Sequence, residues 1–115
     1  MSVRLPRIIV VPLRRAWPWR RDMALLEIGC RQGWRLPAGE VITDVAEALA
    51  TTMQVQPATA VLAFEGYTLV GACWCCDGPM SDAGTVGLHG PFVMPHAAGN
   101  GLALQLQQRL AMAKD

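Results

Sequence analysis

The C-terminal part of the chain has the pattern that most constrains its fold: an apolar strand, a loop of small residues and an amphipathic helix. The strand pattern covers residues 90–95, the loop residues 96–101 and the helix pattern residues 102–110. Such a loop offers free backbone N–H groups and the positive end of a helix dipole to a phosphate group. Two glycines after a strand are also typical of a tight strand-to-helix connection that binds no ligand, so the pattern alone leaves both interpretations open.

The segments before this pattern predict several short strands. Residues 7–13 are rich in Ile and Val, and residues 60–64 and 68–74 have the composition of two strands joined by a turn as a hairpin. A last strand is predicted over about residues 86–94. Gly87 and Gly90 within it indicate either a bulge or a close approach of another backbone. Turns are predicted in three places: residues 65–67, 77–79 and 81–84.

Helical signals lie between and after these strands. A helix is predicted to begin at Asp44, which with Glu47 resembles a capping pair. Residues 23–28 fit either a short strand or a helical turn, and residues 32–39 are predicted as a loop. The order of elements indicates an α+β domain with a mostly antiparallel sheet and flanking helices.

The size of the chain and its apolar composition predict one domain that has a partner. At 115 residues it forms a single domain over residues 1–115. Its charged fraction of 17% is below the usual quarter, and 52% of its residues are hydrophobic. We therefore expect a protein partner or a homo-oligomer to cover part of the surface. Neither a secretory signal nor an apolar run long enough for a membrane span is recognisable. The expected location is cytoplasmic or within a larger particle, without secretion or membrane insertion.

An Arg/Trp-rich segment, residues 1–35, forms the N-terminal third of the domain. This segment contains eight arginines and two acidic residues, whereas residues 36–115 contain two basic and seven acidic residues. Either the two parts neutralise each other within one fold, or the arginines contact nucleic acid or another acidic partner. Trp17, Trp19 and Trp34 fit base stacking or a protein interface, and the protein interface is the favoured interpretation.

Three of the four cysteines, Cys73, Cys75 and Cys76, lie close together and include a C-x-x-C spacing. A zinc site with this spacing needs a second pair of ligands, which the sequence does not offer. Because the segment reads as a strand, Cys73 and Cys75 are predicted to point to the same face as small core residues. No metal site is predicted.

From residue 60 onward the chain resembles the GNAT family of acetyl-CoA-dependent N-acetyltransferases. Residues 61–71 are similar to the hairpin of that family, and residues 90–95 to its fourth strand. Residues 98–103 fall on its pyrophosphate-binding motif, Q/R-x-x-G-x-G/A. Gly101 matches the first glycine of the motif and Ala103 matches its last position. Ala98 occupies the first position, where the family has Gln or Arg.

The resemblance implies a truncated GNAT-like domain with acetyl-CoA as cofactor. It implies that the loop amides bind the CoA pyrophosphate and that the backbone before the loop faces the pantetheine and the acyl group. The family continues into a fifth strand and a fourth helix that often carries a general-acid tyrosine, whereas the one tyrosine here, Tyr67, lies in a hairpin turn. The implied cofactor-binding residues are Phe92, Val93, Met94, Gly99, Asn100, Gly101 and Leu102.

Acetyl transfer to an amine also needs a group that removes a proton. The candidates are His89, on the strand that leads to the loop, and Glu65, in the hairpin turn, while His96 is placed to contact a phosphate. The predicted function is that of an acyl-CoA-dependent N-acetyltransferase-like protein. This prediction includes a protein that binds acetyl-CoA through residues 99–102 without catalysing the transfer. The alternative is a non-catalytic GNAT-like structural or interaction protein, such as a phage virion or mobile-element accessory component. Nucleic-acid binding by the N-terminal arginines is a further, less favoured possibility.

Overall fold

A computed structural model gives the architecture of the protein and describes residues 6–35, 39–55, 58–76 and 87–114. Within these ranges the chain forms an antiparallel sheet with helices on both faces. Two 3₁₀ helices, Leu13–Trp19 and Pro95–Asn100, precede α1 and α3 respectively. The strands and α-helices are β1 Arg7–Pro12, α1 Arg20–Arg31, α2 Gly39–Val55, β2 Ala58–Glu65, β3 Thr68–Cys76, β4 Gly87–Val93 and α3 Leu102–Lys114.

The strands lie in the order β1-β2-β3-β4, and each pairs antiparallel with its neighbours. The turn at Gly66 and Tyr67 joins β2 to β3, which confirms the predicted hairpin. β1 and β4 are the outer strands of the sheet that the structure describes. The α+β class, the mostly antiparallel sheet and the flanking helices are therefore as predicted.

Alternation along the strands divides the core between the two faces of the sheet. One face presents Leu62, Trp74 and Phe92 to the first 3₁₀ helix and the first two α-helices. The other face presents Val61 and Cys73 to α3, whose leucines are buried against it. Full burial of one such aliphatic side chain stabilises the fold by about 1.5–3 kcal/mol. Helix packing on both faces therefore fixes the position of β4 and of the loop that follows it.

β4 contains a bulge near its middle. Ala72 pairs with Phe92 and Trp74 with His89, so two residues of β4, Gly90 and Pro91, face the single residue between them on β3. Gly90 has φ +96°, and a Cβ added there would lie 2.9 Å from the Ala72 carbonyl oxygen. Only glycine fits this position, and the predicted bulge is confirmed there.

The structure corrects several predicted boundaries. Residues 23–28, left open between strand and helical turn, belong to α1, and their periodicity was obscured because α1 buries one side against the sheet and the other against α2. The prediction that a helix begins at Asp44 was wrong: α2 begins at Gly39, and Ile42 in its first turns packs against α1. Leu13, predicted as the last residue of the first strand, instead begins the 3₁₀ helix Leu13–Trp19. The turns predicted at residues 77–79 and 81–84, and residues 36–38 of the predicted loop, lie outside the described residues.

Candidate active site on the outer strand β4

The loop after β4 leads through two exposed glycines into the start of α3. It consists of the 3₁₀ helix Pro95–Asn100 and Gly101, which has φ +72° and leads directly into α3. A Cβ added at Gly99 or at Gly101 would meet nothing within 4 Å, so both positions border open space. The first N–H groups of a helix lack acceptors within that helix, and α3 has no acidic residue in its first turn. The amino end of α3 therefore presents N–H groups without an acceptor in that helix, next to two open glycine positions.

At the end of β4, the backbone N–H and C=O of Val93 point away from β3, toward the outer edge of the sheet. The Met94 N–H donates to the Val70 carbonyl at 2.9 Å, so Met94 faces β3. Because successive residues of a strand turn their backbone groups to opposite edges, the N–H and C=O of Val93 face outward. The Cys30 thiol of α1 donates to this Val93 carbonyl at 3.5 Å. Of the three strand residues predicted to face a pantetheine, Val93 is the one whose backbone points to the outer edge.

The other end of β4 holds His89 in a cluster with residues from α1 and β3. Its imidazole is stacked on the Trp74 indole, with ring centroids 5.6 Å apart and an angle of 11° between the planes. Its Nδ1 lies 3.9 Å from Glu27 Oε1, and Arg31 Nη2 lies 3.6 Å from the same carboxylate oxygen. The side-chain contact with His89 lowers the pKa of Glu27, and Arg31 lowers it further, although burial acts in the opposite direction. Glu27 is therefore a carboxylate at neutral pH.

Glu27 and Trp74 are the members of this cluster that sequence reasoning missed. Trp74 was predicted only as a strand residue, and Glu27 only as part of the Arg/Trp-rich segment. One signal was present: Glu27 is an acidic residue within an otherwise apolar stretch of α1. Its partner on β4 is far away in the sequence, so no spacing rule could connect the two.

The structure separates the two predicted bases, Glu65 and His89. Glu65 Oε1 lies 2.9 Å from His96 Nε2, and this pair joins the hairpin to the loop after β4. Glu65 pairs with Thr68 and His89 with Trp74, six residues further along β3, which corresponds to a separation of about 20 Å. Tyr67 is fully exposed in the turn beside Glu65. Glu65 and Tyr67 thus lie at the opposite end of the sheet from His89.

Cys73 and Cys75 of β3 are core residues, as predicted. Cys73 and Cys75 are buried in the cluster that α3 covers, and the side chain of Cys76 lies outside the described part of the structure. Burial and, to a smaller extent, the neighbouring Cys75 raise the pKa of Cys73 to about 11, so its thiol is protonated at neutral pH. Among the described residues, no three His, Cys, Asp or Glu side chains come together as a metal site.

The N-terminal segment uses most of its tryptophans to build the core. Trp19 packs edge-on against Phe64, with ring centroids 5.2 Å apart, and Trp34 packs on the core beside α1. Trp17 is 45% exposed, and the Arg20 guanidinium lies 3.6 Å from its ring centroid. Of these three tryptophans, Trp17 is the one that offers an exposed ring to a partner.

Two solved structures resemble this fold. One is assigned to the GNAT acetyltransferase family, from Staphylococcus aureus subsp. aureus: it superposes with a TM-score of 0.67 at 14% identity, over 93% of this chain and 90% of that chain. The other, an acetyltransferase from Clostridium acetobutylicum whose structure was determined with acetyl-CoA, has a TM-score of 0.58 at 14% identity, over 95% of this chain and 73% of that chain.

The fold is that of the GNAT acetyltransferases. The likeness to the first structure extends over nearly the whole of both chains, so the GNAT-like architecture includes the N-terminal segment as well as the part from residue 60 onward. No protein-family model and no curated protein matches the sequence. In the described ranges, no helix of this GNAT-like domain combines the length and the apolar character needed to cross a membrane.

Proposed function

We propose that this protein binds acetyl-CoA along the outer edge of β4 and transfers its acetyl group to an amine. The observation that carries the proposal is the loop after β4, where Gly99 and Gly101 border open space and lead into the amino end of α3. On the same fold, the Clostridium acetobutylicum acetyltransferase was solved with acetyl-CoA, which supports this cofactor.

Backbone groups would hold the cofactor. The amides of Gly99, Asn100, Gly101 and Leu102 would bind the pyrophosphate, since the open positions at the two glycines let phosphate oxygens approach the backbone. The outward N–H of Val93 would hydrogen-bond the pantetheine arm, while Phe92 and Met94 fix the strand through the core. When bound, acetyl-CoA supplies a thioester that an amine can attack.

His89 is the proposed general base. In the transfer, the amine nitrogen would form a bond to the acetyl carbon, the carbon–sulfur bond would break with its electron pair leaving on the CoA thiolate, and the amine would lose a proton. His89 would accept this proton directly or through a water molecule. The imidazole lies on the outer strand, stacked on Trp74 and partly exposed, so it is held in place and still accessible. Glu65 is the weaker choice because it contacts His96 at the opposite end of the sheet.

Calorimetric titration with acetyl-CoA tests the cofactor part of this proposal. Binding in the micromolar range is expected for the wild type. Gly99→Asp should weaken it at least tenfold, because the new carboxylate would repel the phosphates, whereas the similarly sized Gly99→Asn should weaken it much less. Open space at Gly99 means that neither change should disturb the fold. Absence of binding up to millimolar acetyl-CoA, or equal effects of the two variants, would contradict the proposal.

A second candidate is a non-catalytic GNAT-fold module that assembles with a second copy of itself through β4. Leu88 on this strand is 53% exposed, and an outer strand is a ready template for pairing with another chain. The same edge serves acetyl-CoA in the leading proposal, so the two candidates compete for one surface. Light scattering at micromolar concentration distinguishes them: an assembly that acetyl-CoA does not dissociate favours the module, and a monomer that binds acetyl-CoA favours the enzyme.

A further inference from the structure

The end of α1 packs near the start of β4, where Glu27 from α1 and Trp74 from β3 both contact the imidazole of His89. Glu27 Oε1 faces His89 Nδ1 at 3.9 Å, the Trp74 indole stacks on the ring, and Arg31 contacts the Glu27 carboxylate. The Glu27 side chain is 20% exposed and that of His89 is 39% exposed, whereas Trp74 is buried. The imidazole is thus supported on one face by an aromatic ring and on one nitrogen by a carboxylate.

This arrangement assigns different tasks to the two ring nitrogens. A carboxylate beside Nδ1 favours the tautomer that carries its proton on Nδ1 and keeps Nε2 as the basic nitrogen. Nε2 is then the nitrogen that exchanges a proton with the substrate. After His89 takes up a proton, the neighbouring negative charge stabilises the imidazolium.

We propose that Glu27 is the positioning residue of His89: it orients the imidazole from α1 and stabilises its protonated form during acetyl transfer. The inference rests on the proposed acetyltransferase function, which it extends to a residue on another element of the fold. Glu27 acts through His89 and does not itself contact the reacting atoms.

The charges around Glu27 are consistent with this role. Among the described residues, His89 from β4 and Arg31 from α1 are charged groups that face it, and β3 contributes the uncharged Trp74. Both neighbours lower the pKa of Glu27, so it carries its negative charge over the pH range in which a histidine titrates. The 3.9 Å separation is longer than a direct hydrogen bond, and such contacts often shorten when the substrate complex forms.

The test compares Glu27→Gln, Glu27→Asp and the wild type in two independent measurements. The first is an NMR titration of the imidazole, which needs no substrate. The chain has two histidines, so His96→Gln identifies the His89 signal, and the His96 signal serves as an internal control. Glu27→Gln should lower the pKa of His89 relative to the wild type and leave His96 unchanged. Glu27→Asp, which keeps the charge, should lower it less.

The second measurement is the kinetics of acetyl transfer as a function of pH. Glu27→Gln should reduce kcat about tenfold or more, shift the lower limb of the kcat profile to lower pH and leave the Kd of acetyl-CoA unchanged, and Glu27→Asp should recover part of the rate. A His89 titration that does not respond to Glu27→Gln would overturn the inference, as would an unchanged kcat. Absence of acetyl-CoA binding in the wild type would instead reject the proposed function, and the titration would still decide whether Glu27 controls His89.

Discussion

The two ends of β4 each bring a histidine next to a glutamate, in different surroundings. At the start of the strand, His89 and Glu27 are 3.9 Å apart, the carboxylate is 20% exposed and the imidazole rests on a buried tryptophan. Beyond the end of the strand, His96 and Glu65 are only 2.9 Å apart, but their side chains are 58% and 34% exposed. Exposed ion pairs contribute little because water competes with them. The two pairs thus differ in burial and in aromatic support, and the pair with the longer separation is the more buried one.

The largest expected difference between the two pairs is in the rate of acetyl transfer. His89→Asn should lower kcat about 100-fold, because a general base typically contributes that factor or more. His96→Asn should change it less than about threefold, since an exposed pair at the loop supports no proton transfer. Chromatographic measurement of CoA released with a panel of primary amines gives both rates. Similar losses for the two variants would remove the distinction between the two ends.

The second difference is between the backbone at the bulge of β4 and the backbone of the loop that follows it, measured as the free energy of unfolding in urea. Gly90→Ala should destabilise the protein by about 2 kcal/mol, because its Cβ would meet the Ala72 carbonyl at 2.9 Å in a left-handed conformation. Gly99→Ala should change stability by less than about 0.5 kcal/mol, since its Cβ would enter open space. An equal cost at both positions would mean that the loop is packed as tightly as the bulge.

The third difference is the response of stability to acid. The folded state lowers the pKa of Glu27 from its usual 4.5, so the stabilisation by its charge is present above about pH 4.5 and is lost as the pH falls below that value. The advantage of the wild type over Glu27→Gln should therefore shrink on acidification, as urea unfolding at a series of pH values would show. Glu65→Gln is the matched control, because it removes a carboxylate from the exposed pair and should cost less than about 0.5 kcal/mol at neutral pH. A pH-independent difference between Glu27→Gln and the wild type would contradict the assignment.

The smallest expected effect is that of a substitution at Ala98, in the loop after β4, on the affinity for acetyl-CoA. Ala98 is exposed and stands where the GNAT motif has Gln or Arg. Ala98→Arg should tighten acetyl-CoA binding about threefold, because an added surface cation near the phosphates gains a fraction of a kcal/mol. Ala111→Arg, on an exposed position of α3 away from the loop, is the control and should leave the Kd unchanged. Titration calorimetry gives the acetyl-CoA dissociation constants of both variants. Weaker binding by Ala98→Arg would show that the loop does not face the phosphates.

Much of the sheet and of its last connection could be predicted from the sequence, whereas the cluster at His89 could not. The hairpin, the bulge at Gly90 and the start of α3 at Leu102 depend on local patterns of alternation and of glycine placement. The early start of α2 was missed because its first turns are held by Ile42 packing on α1, a tertiary contact without a local signal. The Glu27–His89 pair has the same origin, since it forms only when α1 crosses β4. Contacts between elements that are far apart in the sequence leave no local pattern, so they could not be predicted.

The loop after β4 and the outer edge of that strand form the proposed acetyl-CoA site. Titration of ¹⁵N-labelled protein with acetyl-CoA, followed by amide NMR shifts, tests it most directly. Saturable shifts at micromolar concentration are expected for the amides of Gly99, Asn100, Gly101 and Leu102 and for Val93. Little change is expected at Gly33, which follows α1 and has φ +63°, close to the +72° of Gly101. Absence of shifts up to millimolar acetyl-CoA, or shifts centred away from β4 and the loop, would contradict the proposal.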